Sequence, residues 1–128
     1  MVTIPDDLKY SSTHLWVEQI DSGSVKVGIT EFAQKGLGDI VYIELPEIEE
    51  FYEDGAECGL IEGVNTTIDI YCPLAGEIID INRDLEESSE MINIDCYCDG
   101  WIFLLKPDNE QDLDHLIDAA EYAELIEA

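Results

Sequence analysis

Positive charge is almost missing from this chain. Its 128 residues include Lys9, Lys26, Lys35, Arg83 and Lys106 and no other lysine or arginine, against 31 aspartates and glutamates, for a net charge of -26. A domain that holds nucleic acid neutralises phosphates with Lys and Arg, so that class of function is excluded. An anionic membrane surface is disfavoured for the same reason. Long apolar runs are missing too: no stretch approaches the roughly 20 apolar residues of a membrane span. Met1 to Asp7 has neither the basic nor the apolar part of a secretory leader. The expected location is the cytoplasm, where Cys58, Cys72, Cys96 and Cys98 are reduced thiols. Histidine is scarce: His14 and His115 fall in different elements, and His115 falls on a polar helix face, so a Ser–His or Cys–His couple would have to use His14. No phosphate-cradling glycine loop and no Gly-x-Ser-x-Gly elbow is present. With so many acids, neighbouring carboxylates carry no signal of acid–base catalysis. The residues alone predict a domain that is not an enzyme.

What is there is enough for a core. The chain is 46% hydrophobic, the fraction of a folded protein, and its length suits one domain over 1–128. His14 to Ile20 reads as a strand, Asp21 to Ser24 as a turn, and Val25, Val27 and Ile29 as the second strand of a hairpin. Thr30 is a candidate N-cap for a short helix ending at Gly36. Asp39 to Leu45 is a β-branched, aromatic run that stops at Pro46. Glu44 to Glu57 holds seven acids and no base, which predicts a solvated loop. Cys58 to Glu62 and Thr67 to Tyr71 are two short strands joined through Gly63-Val64-Asn65-Thr66, a hairpin with Asn65 at or near its tip. Pro73 to Gly76 is the next turn.

Gly76 to Ile81 echoes Gly38 to Ile43 in the order Gly, acid, Ile, β-branched, any, Ile, at an offset of 38 residues. A quasi-two-fold β-sandwich would produce that echo. Asn82 to Asn93 is polar and irregular or partly helical, and Trp101 to Lys106 is an apolar strand. From Asp112 the period changes, with Leu113, Leu116, Ile117 and Ala120 on one helical face and Asp108 or Asn109 as cap. That helix is expected to be held by docking its apolar face, since Glu121, Glu124 and Glu127 oppose its dipole. Cys96-Tyr97-Cys98 is too tight for a zinc knuckle, and Cys58 and Cys72 do not make a second one, so no metal site is expected; a thiol or metal role for Cys96 and Cys98 is the alternative.

The order of these segments resembles the H protein family of the glycine cleavage system, nearly end to end from Ile4 to about Leu125. The resemblance rests on Pro5-Asp6-Asp7-Leu8-Lys9-Tyr10, on His14 and Trp16, and on Gly28-Ile29-Thr30-Glu31-Phe32-Ala33-Gln34. It continues through Leu37-Gly38-Asp39-Ile40-Val41, Glu44-Leu45-Pro46, Pro73, Ala75-Gly76-Glu77, Asn82, Leu85, Asn93, Tyr97 and Gly100-Trp101, to Leu113, Asp114, Leu116 and Tyr122. It implies a mainly β fold, a lipoyl-domain-like barrel-sandwich hybrid with short helices and a C-terminal helix. It also implies a carrier. In the family a hairpin-tip lysine bears lipoate, which takes an aminomethyl group at glycine decarboxylase and passes it to an aminomethyltransferase. Dihydrolipoamide dehydrogenase then reoxidises the arm.

The family motif there is Glu-Ser-Val-Lys-Ala, and this chain reads Glu62-Gly63-Val64-Asn65-Thr66. The resemblance thus puts Asn65 at the lipoyl-lysine position, with Glu62, Gly63, Val64 and Asp69 around it. An Asn amide nitrogen is delocalised into its carbonyl and is no nucleophile, so no lipoate cofactor is expected. Leu15 stands where the family has Glu in His-Glu-Trp, a residue associated with the cleft that shelters the loaded arm. The expectation is a non-lipoylated, H-like protein that binds protein partners, either glycine cleavage enzymes or lipoyl-attaching enzymes. The alternative is a working carrier modified at another site.

Overall fold

The computed structural model describes residues 2–21 and 23–127. Among the described residues, nine strands form two antiparallel sheets. Six strands, β1 (Lys9–Tyr10), β2 (Leu15–Asp21), β3 (Ser24–Ile29), β9 (Phe103–Pro107), β8 (Gly76–Ile81) and β5 (Phe51–Tyr52), pair in that order. The other sheet pairs β4 (Ile40–Glu44), β6 (Glu57–Gly63) and β7 (Thr67–Tyr71). Short helices α1 (Glu31–Leu37), α2 (Asp84–Glu87) and α3 (Met91–Ile94) fill the connections, and α4 (Ala119–Glu127) follows the last strand. The expected class, mainly β with short helices and a C-terminal helix, is what is found.

The repeated hexapeptide has a structural counterpart. Its two copies are β4 and β8, one in each sheet. Both strands slip register at the same place in the repeat, between Ile40 and Tyr42 against β6 and between Ile78 and Asp80 against β9. The slip leaves Ile40 and Ile78 buried while Val41 and Ile79 turn to solvent. Between the sheets lies the main core, including Leu15, Val27, Ile29, Leu37, Ile61, Ile70, Ile78 and Phe103. A second core of Leu8, Tyr10, Trp16, Ala119 and Tyr122 lies between β1–β2 and α4.

Several boundaries differ from the sequence reading. Strand β2 starts at Leu15 because His14 adopts a φ of 71°, closing a turn in which the Ser11 N–H donates to the Leu15 carbonyl. Ser22 of the expected turn lies outside the described residues. Thr30 caps α1 as expected, its hydroxyl accepting from the Ala33 N–H, but the helix runs to Leu37 and stops on Gly38 at φ 76° rather than Gly36. The positive φ at the helix end, which glycine adopts freely, falls on the second of the two glycines. The acidic segment is not all loop: Phe51–Tyr52 adds a strand to β8. Strand β9 starts at Phe103, because the carbonyls of Asp99 and Trp101 are held by the Asn82 side chain.

The largest departure is at the C-terminal end. The helix expected from Asp112 is broken into a 3-10 turn, Glu110–His115, and α4. Ile117 is extended between them and exchanges both backbone bonds with Tyr10, at 2.8 and 2.9 Å. Asp118 then starts α4 afresh: its carboxylate accepts from the Glu121 N–H while the Glu121 carboxylate accepts from the Asp118 N–H. That is a capping box. It rotates the face, so Ala119 and Tyr122 are buried and Ala120 is exposed. Asn109 caps the 3-10 turn instead.

Candidate functional site: the β6–β7 hairpin tip and the cleft beside it

The hairpin closes where the Gly63 N–H donates to the Thr66 carbonyl at 2.9 Å. Val64 and Asn65 project beyond that bond, and Val64 is 64% exposed. The tip is tied down from below. The Val64 N–H donates to the Asp39 carbonyl (2.9 Å) and the Asn65 N–H to the Leu37 carbonyl (3.0 Å). The Asn65 side-chain amide reaches the Gly36 carbonyl at 3.5 Å. The orphan carbonyls at the end of α1 thus hold the tip. Gly63 makes this approach possible, because a Cβ there would strike the Leu37 carbonyl.

Beside the tip lies a cleft of about 750 Å³. One wall is Thr66, Thr67, Ile68, Asp69 and Tyr71; the other is His14 with Phe32, Ala33, Lys35, Gly36 and Leu37 from α1. Asp69 accepts a hydrogen bond from the Tyr71 hydroxyl (3.4 Å). Of the sequence-predicted residues, only Asp69 lines the cleft; Asn65 and Val64 stand at its edge, Gly63 is buried and Glu62 is exposed. Leu15 is not in the cleft. It is 2% exposed within the main core, and His14 takes the cleft position.

Lys35 and His14 are what sequence reasoning missed. Both come from segments far from the hairpin in sequence, and the fold brings them to it, with the end of α1 tied to the tip through the Leu37 and Gly36 carbonyls. Lys35 also pairs with Glu31 at 3.4 Å.

His14 connects the cleft to α4. Its Nδ1 lies 2.8 Å from the Tyr122 hydroxyl, which is 2.7 Å from Thr30 Oγ1. Burial lowers the His14 pKa below the ordinary histidine value of 6.5. The unfolded chain therefore takes up the proton more readily than the folded one. Its contribution to stability is full above about pH 6.5 and declines as pH falls toward the lowered folded value. Against His14→Asn, which keeps a residue tolerant of positive φ, the parent is expected to lose its relative thermal stability between roughly pH 7.5 and 5.5. Melting temperatures of both across that range check it.

The four cysteines do not gather in one cluster. Cys96 is buried, its thiol pushed up to about 12 by burial and then by nearby Glu31. Cys98 is exposed and lies with Asp95 and Asp99, their ligand atoms within 4.8 Å of one another. Cys58 and Cys72, brought together by the pairing of β6 with β7, meet in the core. Hydrogen bonding to Cys72 and then burial hold the Cys58 thiol well above the usual range. A thiol raised in this way is a poor nucleophile.

The family model of the glycine cleavage H-protein matches residues 8–128. The chain belongs to the glycine cleavage H-protein family. It is 48% identical over 127 residues to the glycine cleavage system H protein of Shewanella denitrificans, covering 99% of this chain and 98% of that one. With the glycine cleavage system H protein of Alkalilimnicola ehrlichii the identity is 40% over 126 residues, covering 98% and 97%. The crystal structure of a glycine cleavage system H protein from Mycobacterium marinum superimposes with a TM-score of 0.86 at 32% identity, covering 98% of this chain and 100% of that one. At the hairpin tip of this chain Val64 and Asn65 are both exposed, and Lys35 lines the adjoining cleft. Among the described residues no helix is long and apolar enough to cross a membrane.

Proposed function

We propose that this chain is an H-type protein of glycine cleavage that carries no lipoyl arm at residue 65 and works by binding protein partners. The observation that carries the reading is Asn65, standing at the tip of the hairpin where the family motif has its lysine. The hairpin, its tie to α1 and the cleft are all present, so the docking scaffold is kept while the acceptor is absent. Lipoate does not fit residue 65: amide formation needs an amine, and this tip offers an amide. The chain acts as one H-like domain over 1–128 and is a docked subunit, not an enzyme. Its partners are glycine cleavage enzymes or lipoyl-attaching enzymes in the cytoplasm, which an acidic surface steers toward basic faces.

The test is production with a lipoyl ligase and lipoate, followed by intact mass. The expected product is the bare chain, and a lipoyl addition at residue 65 is ruled out by its chemistry. A second reading, a carrier modified elsewhere, is favoured by one observation: Lys35 lines the cleft beside the tip. A lipoyl group found by peptide mapping on Lys35, and lost in Lys35→Arg, would replace the first reading with the second.

A further inference from the structure

The cleft has one wall that a pocket for a small ligand does not need. Thr66, Thr67, Ile68 and Asp69 are consecutive, and all of them line it. Alternate side chains of a strand point to opposite faces, so consecutive residues line a space only when the strand presents its edge. Strand β7 is the edge of its sheet, with β6 as its neighbour. From the Gly63–Thr66 bond that closes the hairpin, the alternation of an antiparallel ladder turns the N–H and C=O of Thr67, Asp69 and Tyr71 away from β6 and into the cleft. The Cys72 N–H, bonded inward to the Ala56 carbonyl, keeps the same phase. An open edge facing an apolar wall of Phe32, Ala33 and Leu37 is the geometry of strand addition.

We infer that the cleft takes an extended, lysine- or arginine-bearing peptide segment of a partner protein, which adds as a fourth strand along β7. Charge selects the occupant. A second copy of this chain would bring another net charge of -26 to the same edge, and like charges oppose that pairing. A basic segment is drawn in by the field and meets Asp69 on the edge itself. Lys35, the cation of the cleft, is offset by its pair with Glu31 at 3.4 Å. In an extended segment one set of alternate side chains covers Ile68 and Phe32, and the other points outward to the acidic surface. The inference rests on the proposed absence of an arm at residue 65, since an arm there would begin at the mouth of the same cleft.

The probe is a fluorescein-labelled Lys-Val-Lys-Val-Lys peptide, read by anisotropy on the full chain at about 50 mM salt. The comparison peptide carries methyl groups on both valine backbone nitrogens, which removes two donors and leaves the charge unchanged. The unmethylated peptide is expected to bind about tenfold tighter or more, and Asp69→Asn to weaken it several-fold. Equal binding of the two peptides would show charge attraction alone and overturn the inference, as would no binding of either. A dimer in sedimentation that the peptide fails to dissociate would assign the edge to a second copy and overturn it too. Intact mass of the same sample reports separately on the arm, so a lipoylated chain would sink the proposed function without being mistaken for a failed peptide experiment.

Discussion

Asn65→Lys, produced with a lipoyl ligase and lipoate, is expected to gain one lipoyl group in most molecules where the parent gains none. The Asn65 backbone is already held at the crest of the hairpin by the Leu37 carbonyl, 3.0 Å away. A lysine there would start from the same anchored position. What is lost is one long side-chain contact to the Gly36 carbonyl at 3.5 Å, weak by its length. What is gained is an amine whose lone pair attacks an activated acyl carbonyl, with the activating group leaving and a proton released. Gly38, with no Cβ, leaves room beneath; a Cβ there would come within 2.8 Å of the Asn65 amide. Adding Gly63→Ser to restore the family's serine is expected to harm rather than help. Its Cβ would strike the Leu37 carbonyl, an overpacking penalty of about 1–3 kcal/mol. That melts the variant several degrees lower. Intact mass and melting temperature read both outcomes. An unmodified Asn65→Lys would mean that the surface a ligase recognises has been lost along with the acceptor.

That serine prediction changes how Gly63 is understood. As sequence, Gly63 is only a glycine where the family motif has serine. In the fold it is the residue that lets the tip settle on the end of α1. Local signals were readable where local chemistry decides. The Gly63–Thr66 turn, the Thr30 cap and the echoed Gly-acid-Ile strands all depend on residues within a few positions. The break before α4 depends on Tyr10 bonding to Ile117, a pairing across most of the chain that no helical period registers. The same blindness left Lys35 as a surface residue of a short helix rather than a wall of the cleft. Leu15 shows the converse. The resemblance linked its position to a cleft, but a leucine on β2 faces the main core, so the neighbouring His14, held at positive φ, is the one that reaches the cleft.

Trp16→Ala is expected to lower the melting temperature by more than about 10 °C and to release α4. Trp16 is fully buried, and its ring fills the layer between β2 and α4 with Tyr10, Ala119 and Tyr122. Its indole N–H donates to the Cys96 carbonyl at 2.8 Å. The strand opposite is built to receive it: Gly28 pairs with Trp16, and a Cβ on Gly28 would lie 2.6 Å from the ring. Removing the ring takes away the transfer energy of an aromatic, leaves a cavity and strands a buried carbonyl. The first two together amount to about 3–5 kcal/mol, and the third adds about 1–3 kcal/mol. Against a total of about 5–15 kcal/mol for a domain, that is a large share. Tyr122, stacked on Tyr10 at 4.8 Å, would lose the support of that layer, and with it the hydroxyl that joins His14 to Thr30. Trp16→Phe keeps most of the volume and isolates the hydrogen bond, so it should cost much less. Near-UV circular dichroism should lose its tyrosine signal at lower temperature in Trp16→Ala than in Trp16→Phe. If the two variants melted alike, the ring would not be what joins α4 to the sheet, and the contacts of Tyr10 and Ile117 would have to hold the helix by themselves.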